Sequence, residues 1–220
     1  EMGMNVKGFV MASSGPEALG WFKEPIKNMD DFRKYRFRTP PGIPGQTYKD
    51  IGIASVSLSG GDILPALEKG TIDAAEWCCP KPDSVFGFQK VLKNYYLQGL
   101  HQNVVNGDIY INGDVYNSLT DHQKYAMEVA SEAMITRNIT NRAVENGKAL
   151  IDLTENHGVK LWDTPADYFT EYMNAAQATL KKNAASNAFF KEVYEHMTAH
   201  AKIVVPFIAQ METSDASIGT

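Results

Sequence analysis

Residues 36–77 alternate short strand-like runs with short helical ones, and that alternation leaves few folds open. "RFRT" (Arg36–Thr39) and "ASVSL" (Ala54–Leu58) read as strands, with "QTYKDIG" between them as a short helix closed by Gly52. "GGDILPALEKG" follows as a helix of about two turns, with Asp62 near its start and Gly70 placed to end it. "TIDAAEW" then reads as a buried strand. Helix and strand in this order predict an α/β lobe with parallel strands. Ahead of it, "NVKGFVMA" (Asn5–Ala12) reads as a strand, "SSGPEALGWF" as a loop leading into a short helix or turn, and "DDFRKY" as one helical turn.

After Pro80 the pattern changes. "DSVFGFQKVL" is expected to be helical and "VVNGDIYIN" a strand, after which almost everything reads as helix. Thr120 with Gln123 forms a capping box. The apolar stripe behind it runs through Ala126, Val129, Ala130 and Ala133, then Ala143, Val144, Leu150 and Ile151. It breaks around "TRNITNR", which leaves one kinked helix or two, ended by Gly158. "VKLW" reads as a strand. Thr164, Pro165 and Asp167 supply N-cap, first-turn proline and N3 acid for a further helix. A last helical region spans about Asn187–Met211, with "TSDASIGT" as a frayed tail. The expected organisation is a hinge strand over 1–12, an α/β lobe carrying the ligand site over 13–104, and a return strand with a helical region over 105–220. A chain that leaves a lobe and returns by long helices can enclose a cleft, a preferred place for ligands.

Composition removes several function classes. The 220 residues carry a formal charge of −5 and show no basic stripe, so nucleic acid is not an expected partner. No apolar run reaches membrane-spanning length, and the first residues lack a basic segment followed by an apolar one. Cys78 and Cys79 are adjacent and read as two structural thiols. There is no P-loop, no GxSxG and no nucleophile–base–orienter set, so an enzyme is not favoured. His196 and His200 share a helix face but lack the acid of HExxH, and a solvated face accounts for them better than a metal. The sequon Asn138-Ile139-Thr140 falls within a predicted helix and reads as chance.

Four residues could carry ligand chemistry. Arg38 ends a strand before a Pro/Gly loop, where its planar fork could grip a carboxylate by two parallel hydrogen bonds; it could equally be a surface arginine. Glu76 ends a strand, where open α/β sheets place ligands, and could bind a hard cation or simply face solvent. Trp77 could wall a pocket or only pack. Glu17 on its own is an ordinary acid at a helix start.

The runs "GWFKEPIKNMDDFRKYRFRTPPG", "GGDILPALEKGTIDAAEW" and "GFQKVLKNYYLQG" resemble, in order and spacing, the DctP-like solute-binding subunit of tripartite ATP-independent periplasmic (TRAP) transporters. The closest branch is the one that binds 2-oxo acids. The resemblance covers nearly the whole chain. It implies a two-lobed, type II periplasmic-binding-protein fold that closes on a small organic anion for the TRAP membrane subunits. It implies that Arg38 clamps the carboxylate, and that a cation is held by Glu76, the Trp77 backbone oxygen and the residue at Glu17. It also implies a substrate contact at Gln102.

Two positions depart from the family pattern. Glu17 stands where an amide is usual, which favours Ca²⁺ over the alternative, Na⁺. Gln102 stands where an acid is usual and adds a donor. The family portion preceding "NVKGFV" has no counterpart here, so most of the first lobe is expected to be absent. The long C-terminal helices resemble those exchanged in dimeric members, which implies a homodimer. The rival expectation is a metal-dependent lyase or hydrolase, with Tyr95, Tyr96 or His101 as mobile candidate bases.

Overall fold

A computed structural model of the chain describes residues 3–215. Contacts divide it into two compact units, Glu1–Tyr172 and Met173–Thr220. The first unit holds two sheets. An antiparallel ribbon pairs β1 (Val6–Ser14) with β7 (Val105–Asn112), with a bulge between Val10 and Ala12. The second sheet has the order β4 (Ala54–Ser57), β3 (Arg36–Thr39), β5 (Ala74–Ala75), β2 (Gly20–Phe22), β6 (Asn94–Tyr96), β8 (Lys160–Trp162).

Strands β3, β4 and β5 are parallel, as the alternation predicts. The expected loop and short helix at "SSGPEALGWF" is corrected: Gly20–Phe22 is a central strand, antiparallel to both β5 and β6. Three residues are too few to show a period, and Asn94–Tyr96 escapes notice for the same reason. Pairing and burial select the extended form instead. Successive side chains of a strand face opposite ways. Trp21 stacks on Tyr95 at 4.0 Å, while Phe22 stacks on Phe37 at 5.6 Å and meets Tyr96 edge-on at 5.2 Å. Trp21, Phe22, Tyr95 and Tyr96 are all fully buried. "TIDAAEW" contributes only two paired residues, Ala74 and Ala75.

Around the sheets lie α1 (Met29–Phe32), α2 (Ile43–Asp50), α3 (Gly60–Glu68), α4 (Pro80–Phe86), α5 (Gly113–Ser118) and α6 (Asp121–Asn156); α7 (Ala166–Ser186) begins in this unit and runs on into the second. Gly87, at φ 84°, caps α4 and breaks the helix expected over "DSVFGFQKVL". Helix α6 is one continuous element of 36 residues with the capping box in place. Its expected stripe is largely exposed at Val129, Val144 and Ile151; the buried residues are Ser131, Ala149 and Leu153. The helix meets β1 and α4, so only a narrow line of it is covered. Near α7, the Thr164 hydroxyl donates to the Gln98 carbonyl, and Asp167 accepts from Met29 N–H. The two residues expected to cap α7 thus tie it to the β6 loop and to α1.

In the second unit, α8 (Ala188–Asp215) continues through Pro206 and exposes Phe189, Met197, Ile203 and Phe207. His196 and His200 are also exposed on it. Of the tail expected to fray, Thr213–Asp215 are helical; residues 216–220 lie outside the described residues.

Asp83 joins α4 to the sheet. Its Oδ2 accepts from Trp21 Nε1 at 2.9 Å and from the Tyr95 hydroxyl at 3.0 Å, and its Oδ1 accepts from Cys78 N–H at 3.0 Å. Burial pushes its carboxyl up to about 7 against these donors. Between the unfolded value of 3.8 and about 7, the folded chain therefore keeps a proton that the unfolded chain has lost. This contribution to stability is full below the unfolded value and is lost as pH rises through about 7. Asp83→Asn turns an amide toward a donor and is expected to cost about 1–3 kcal/mol. Urea unfolding at pH 5 and pH 8 should show the variant's deficit shrinking at the higher pH; a deficit that grows would overturn the assignment.

Candidate functional site

Register brings Arg38 and Glu76 together. Arg38 pairs with Ala75 across β3 and β5, and Glu76 N–H donates to the Arg38 carbonyl at 3.2 Å. Both side chains leave the carboxyl ends of parallel strands, where α/β sheets place ligands. The Arg38 guanidinium is almost fully committed. Nη1 donates to Glu76 Oε1 at 2.6 Å and to the Glu76 carbonyl at 2.9 Å, and Nε and Nη2 both donate to the Leu58 carbonyl. Of five N–H groups, one on Nη2 is left. The expected two-bond grip on a ligand carboxylate is therefore not available from Arg38 as it stands, because Glu76 and Leu58 hold the fork. The Trp77 ring covers the guanidinium at 4.9 Å.

The antiparallel β2 delivers Glu17. Its leading end lies beside the trailing ends of β5 and β6, so Ala18 N–H donates to the Cys78 carbonyl and Glu17 N–H to the Gln102 carbonyl. Two glycines allow this approach. A Cβ on Gly20 would sit 2.6 Å from the Ala75 carbonyl oxygen, and one on Gly99 would sit 2.8 Å from that of Glu17. His101, just after β6, reaches the same point.

Glu17 Oε2, Glu76 Oε2 and His101 Nε2 are buried without any hydrogen-bond partner. They lie within 4.8 Å of one another, and among the described residues no other group of three acids, histidines or cysteines converges in this way. Nε2 stands 3.4 Å from Glu76 and 3.6 Å from Glu17. Burial pushes the imidazole down, but the two carboxylates outweigh it and hold its pKa up at about 9. Its Nδ1 meets the Tyr48 hydroxyl at 3.3 Å, which in turn meets that of Tyr168 at 3.1 Å. Glu17 Oε2 and Glu76 Oε2 are buried acceptors without a hydrogen bond, which is costly. The two oxygens fit a positive charge: the imidazolium faces them at ion-pair distance, and as carboxylate oxygens they also suit a hard ion such as calcium or sodium. The sequence marks His101 only as a mobile base; its place one residue before Gln102 is the signal that ties it to the site.

Glu17, Arg38, Trp77 and Gln102 all line one cavity of about 400 Å³, between the sheet ends and the β1/β7 ribbon. Glu76 and His101 lie behind it, their side chains wholly buried. The thiols also reach this region. Cys78 and Cys79 are free, with sulfurs 3.2 Å apart, and Arg142 Nη2 of α6 donates to Cys79 at 2.7 Å and to Cys78 at 3.2 Å. The Cys78 contact lowers the Cys79 thiol to about 6 against its burial, with Arg142 assisting; Cys78 is pushed up in turn.

Residues 2–187 match the family of bacterial extracellular solute-binding proteins, family 7, DctP. The chain belongs to this family. It is 35% identical over 205 residues to the monocarboxylate 2-oxoacid-binding periplasmic protein all3028 of Nostoc sp. (strain PCC 7120), covering 90% of this chain and 54% of that relative. The chain thus spans about half the length of this DctP relative. Among solved structures, a TRAP transporter solute-binding protein of Bordetella bronchiseptica RB50, with copurified calcium and picolinate in its active site, aligns with a TM-score of 0.83 at 26% identity. That alignment covers 98% of this chain and 66% of the other. A TRAP periplasmic solute-binding protein of Colwellia psychrerythraea with bound calcium and pyruvate aligns with a TM-score of 0.84 at 24% identity, over 92% of this chain and 62% of the other. The last likeness speaks for the fold alone.

Stripping the protein with EDTA and returning calcium chloride is expected to raise Tm by roughly 5–10 °C at a hundredfold excess over Kd. Glu17→Ala should lose most of that shift, whereas Glu17→Gln, which restores an amide oxygen, should keep part of it. An equal shift in Glu17→Ala would remove Glu17 from the cation site.

Proposed function

We propose that this DctP-family chain captures a small 2-oxo or 2-hydroxy carboxylate, together with a cation, outside the cytoplasmic membrane and presents it to TRAP membrane subunits. The observation that carries this reading is the juxtaposition of two buried carboxylate oxygens without a hydrogen bond, in the Glu17–Glu76–His101 cluster, with an arginine-bearing cavity. Arg38 offers its remaining N–H to the carboxylate, Trp77 keeps water from its guanidinium face, and Gln102 can donate an amide N–H to a ligand oxygen. Glu17 and Glu76 would hold the cation, with the Trp77 backbone oxygen as a further ligand. When bound, the ion supplies positive charge to the ligand's oxo or hydroxyl oxygen. Calcium stands ahead of sodium because two carboxylates face the site. The 2-oxo acids named for the Nostoc relative and the picolinate of the Bordetella protein have one feature in common. Each places a donor atom so that it closes a five-membered chelate with the carboxylate.

Closure would turn on β1 and β7, with the chain divided as 1–12, 13–104 and 105–220. Among the described residues no helix is long and apolar enough to cross a membrane, and the periplasm is the proposed compartment. The exposed apolar residues of α8, Phe189, Met197, Ile203 and Phe207, favour pairing with a second copy of the chain. Sedimentation at micromolar concentration should show a dimer; a monomer would remove the helices as an interface.

The rival metal-dependent lyase or hydrolase loses its mobile bases. Tyr95 is buried and donates to Asp83, Tyr96 is buried and donates to the Ile26 carbonyl, and His101 is locked between carboxylates and Tyr48. Burial raises the pKa of both tyrosines further. A thermal-shift screen of 2-oxo and 2-hydroxy acids in calcium should give stabilisation with pyruvate-like acids. Arg38→Ala should abolish that shift and also lower the ligand-free Tm, because it strands Glu76. A variant that still binds pyruvate normally would disprove the role of Arg38.

A further inference from the structure

Arg38 leaves a demand unmet. A carboxylate presents two oxygens with about four lone-pair positions, and Arg38 has a single uncommitted N–H. A second arginine, Arg142, also lines this cavity, as it does two others beside α6. It comes from α6, far from the strands that build the rest of the site. It is half-buried, and among the described residues its only hydrogen-bond partners are the sulfurs of Cys78 and Cys79, both taken by Nη2. Nε and Nη1 make no hydrogen bond to the described residues, and no carboxylate of theirs lies within ion-pair distance. The nearby Glu145 pairs with Lys148 instead. A half-buried arginine seated on thiols and uncommitted on its remaining donors is poised for an anion.

We propose that Arg142 is the second anion-gripping residue of this cavity, making with its free N–H groups the paired contact that Arg38 is too committed to make. The inference rests on the carboxylate-capture reading above. It also gives the conspicuous Cys78–Cys79 pair a role, since the two sulfurs hold the guanidinium at the cavity wall by one nitrogen and leave the others open. Two cationic anchors from different elements, β3 and α6, then address one carboxylate-bearing ligand, so that the ligand bridges those elements.

Isothermal titration of pyruvate in calcium-containing buffer tests this with the wild-type chain, Arg142→Gln and Arg142→Lys. The glutamine variant should weaken pyruvate binding by about 10- to 100-fold, the range of one lost charge-assisted contact. The lysine variant keeps the charge without the fork and should fall between. Calcium affinity measured without pyruvate should match wild type in both variants, while ligand-free Tm falls by only a few degrees as the contacts to Cys78 and Cys79 are lost. Wild-type pyruvate affinity in Arg142→Gln overturns the assignment and leaves the capture function standing. A parallel loss of calcium affinity, or a ligand-free chain that no longer folds cooperatively in both variants, makes Arg142 structural and overturns it as well. A wild-type chain that binds neither pyruvate nor any other 2-oxo or 2-hydroxy acid defeats the capture reading, and this one with it.

Discussion

The buried ion pair between Arg38 and Glu76 is the contact on which the site is built. Their side chains are 5% and 0% exposed, so neither charge is hydrated. Such a pair recovers its desolvation cost only with good geometry and further hydrogen bonds. Here the Glu76 and Leu58 carbonyls supply those bonds, and Trp77 covers the guanidinium face. Losing one partner of a buried pair typically costs about 3–5 kcal/mol. The pair therefore locks the ends of β3, β5 and the loop after β4 into one arrangement. It also orients Glu76 so that its second oxygen points away from Arg38, toward Glu17 and His101.

That second oxygen explains why β2 matters. A purely parallel sheet would place the residues before one strand at the opposite end from those after its neighbour. Inserting one antiparallel strand between β5 and β6 puts the start of β2 beside two strand ends, and Glu17 arrives beside Glu76, with His101 facing both. The result is a cluster in which Glu17 Oε2, Glu76 Oε2 and His101 Nε2 are dry and lack a hydrogen bond, held together at ion-pair distance alone. On the capture reading proposed above, a cation and an anion entering the adjacent cavity would offset that cost, and the carboxylate of Glu76 would serve both the fold and the ligand.

The aromatic faces of β2 hold this arrangement rigid. Trp21 and Tyr95 stack and share Asp83 on one side, and Phe22 packs among Phe32, Phe37 and Tyr96 on the other. Asp83 lies on α4, which follows directly on the thiols, so the core beneath the sheet and the seat of Arg142 are joined through a few residues.

Much of this was legible in the chain itself. The strands at Arg36–Thr39 and Ala54–Ser57, the helix from Gly60 and the capped start of α6 follow from local periodicity and end signals, which depend only on neighbouring residues. Family-like spacing brought Glu17, Arg38, Glu76, Trp77 and Gln102 forward as a set; four of them line one cavity and Glu76 is buried behind it. The sequence could not show that Gly20–Phe22 is a strand, because three residues carry no period and only its partners on both sides make it extended. Nor could it show that Glu76 occupies Arg38, that His101 joins the carboxylates, or that Arg142 arrives from a helix more than sixty residues after the thiols that hold it. Local order was determined by the sequence alone. Which charges meet was decided by strand register and direction, properties of pairing between distant segments that no single stretch of chain contains.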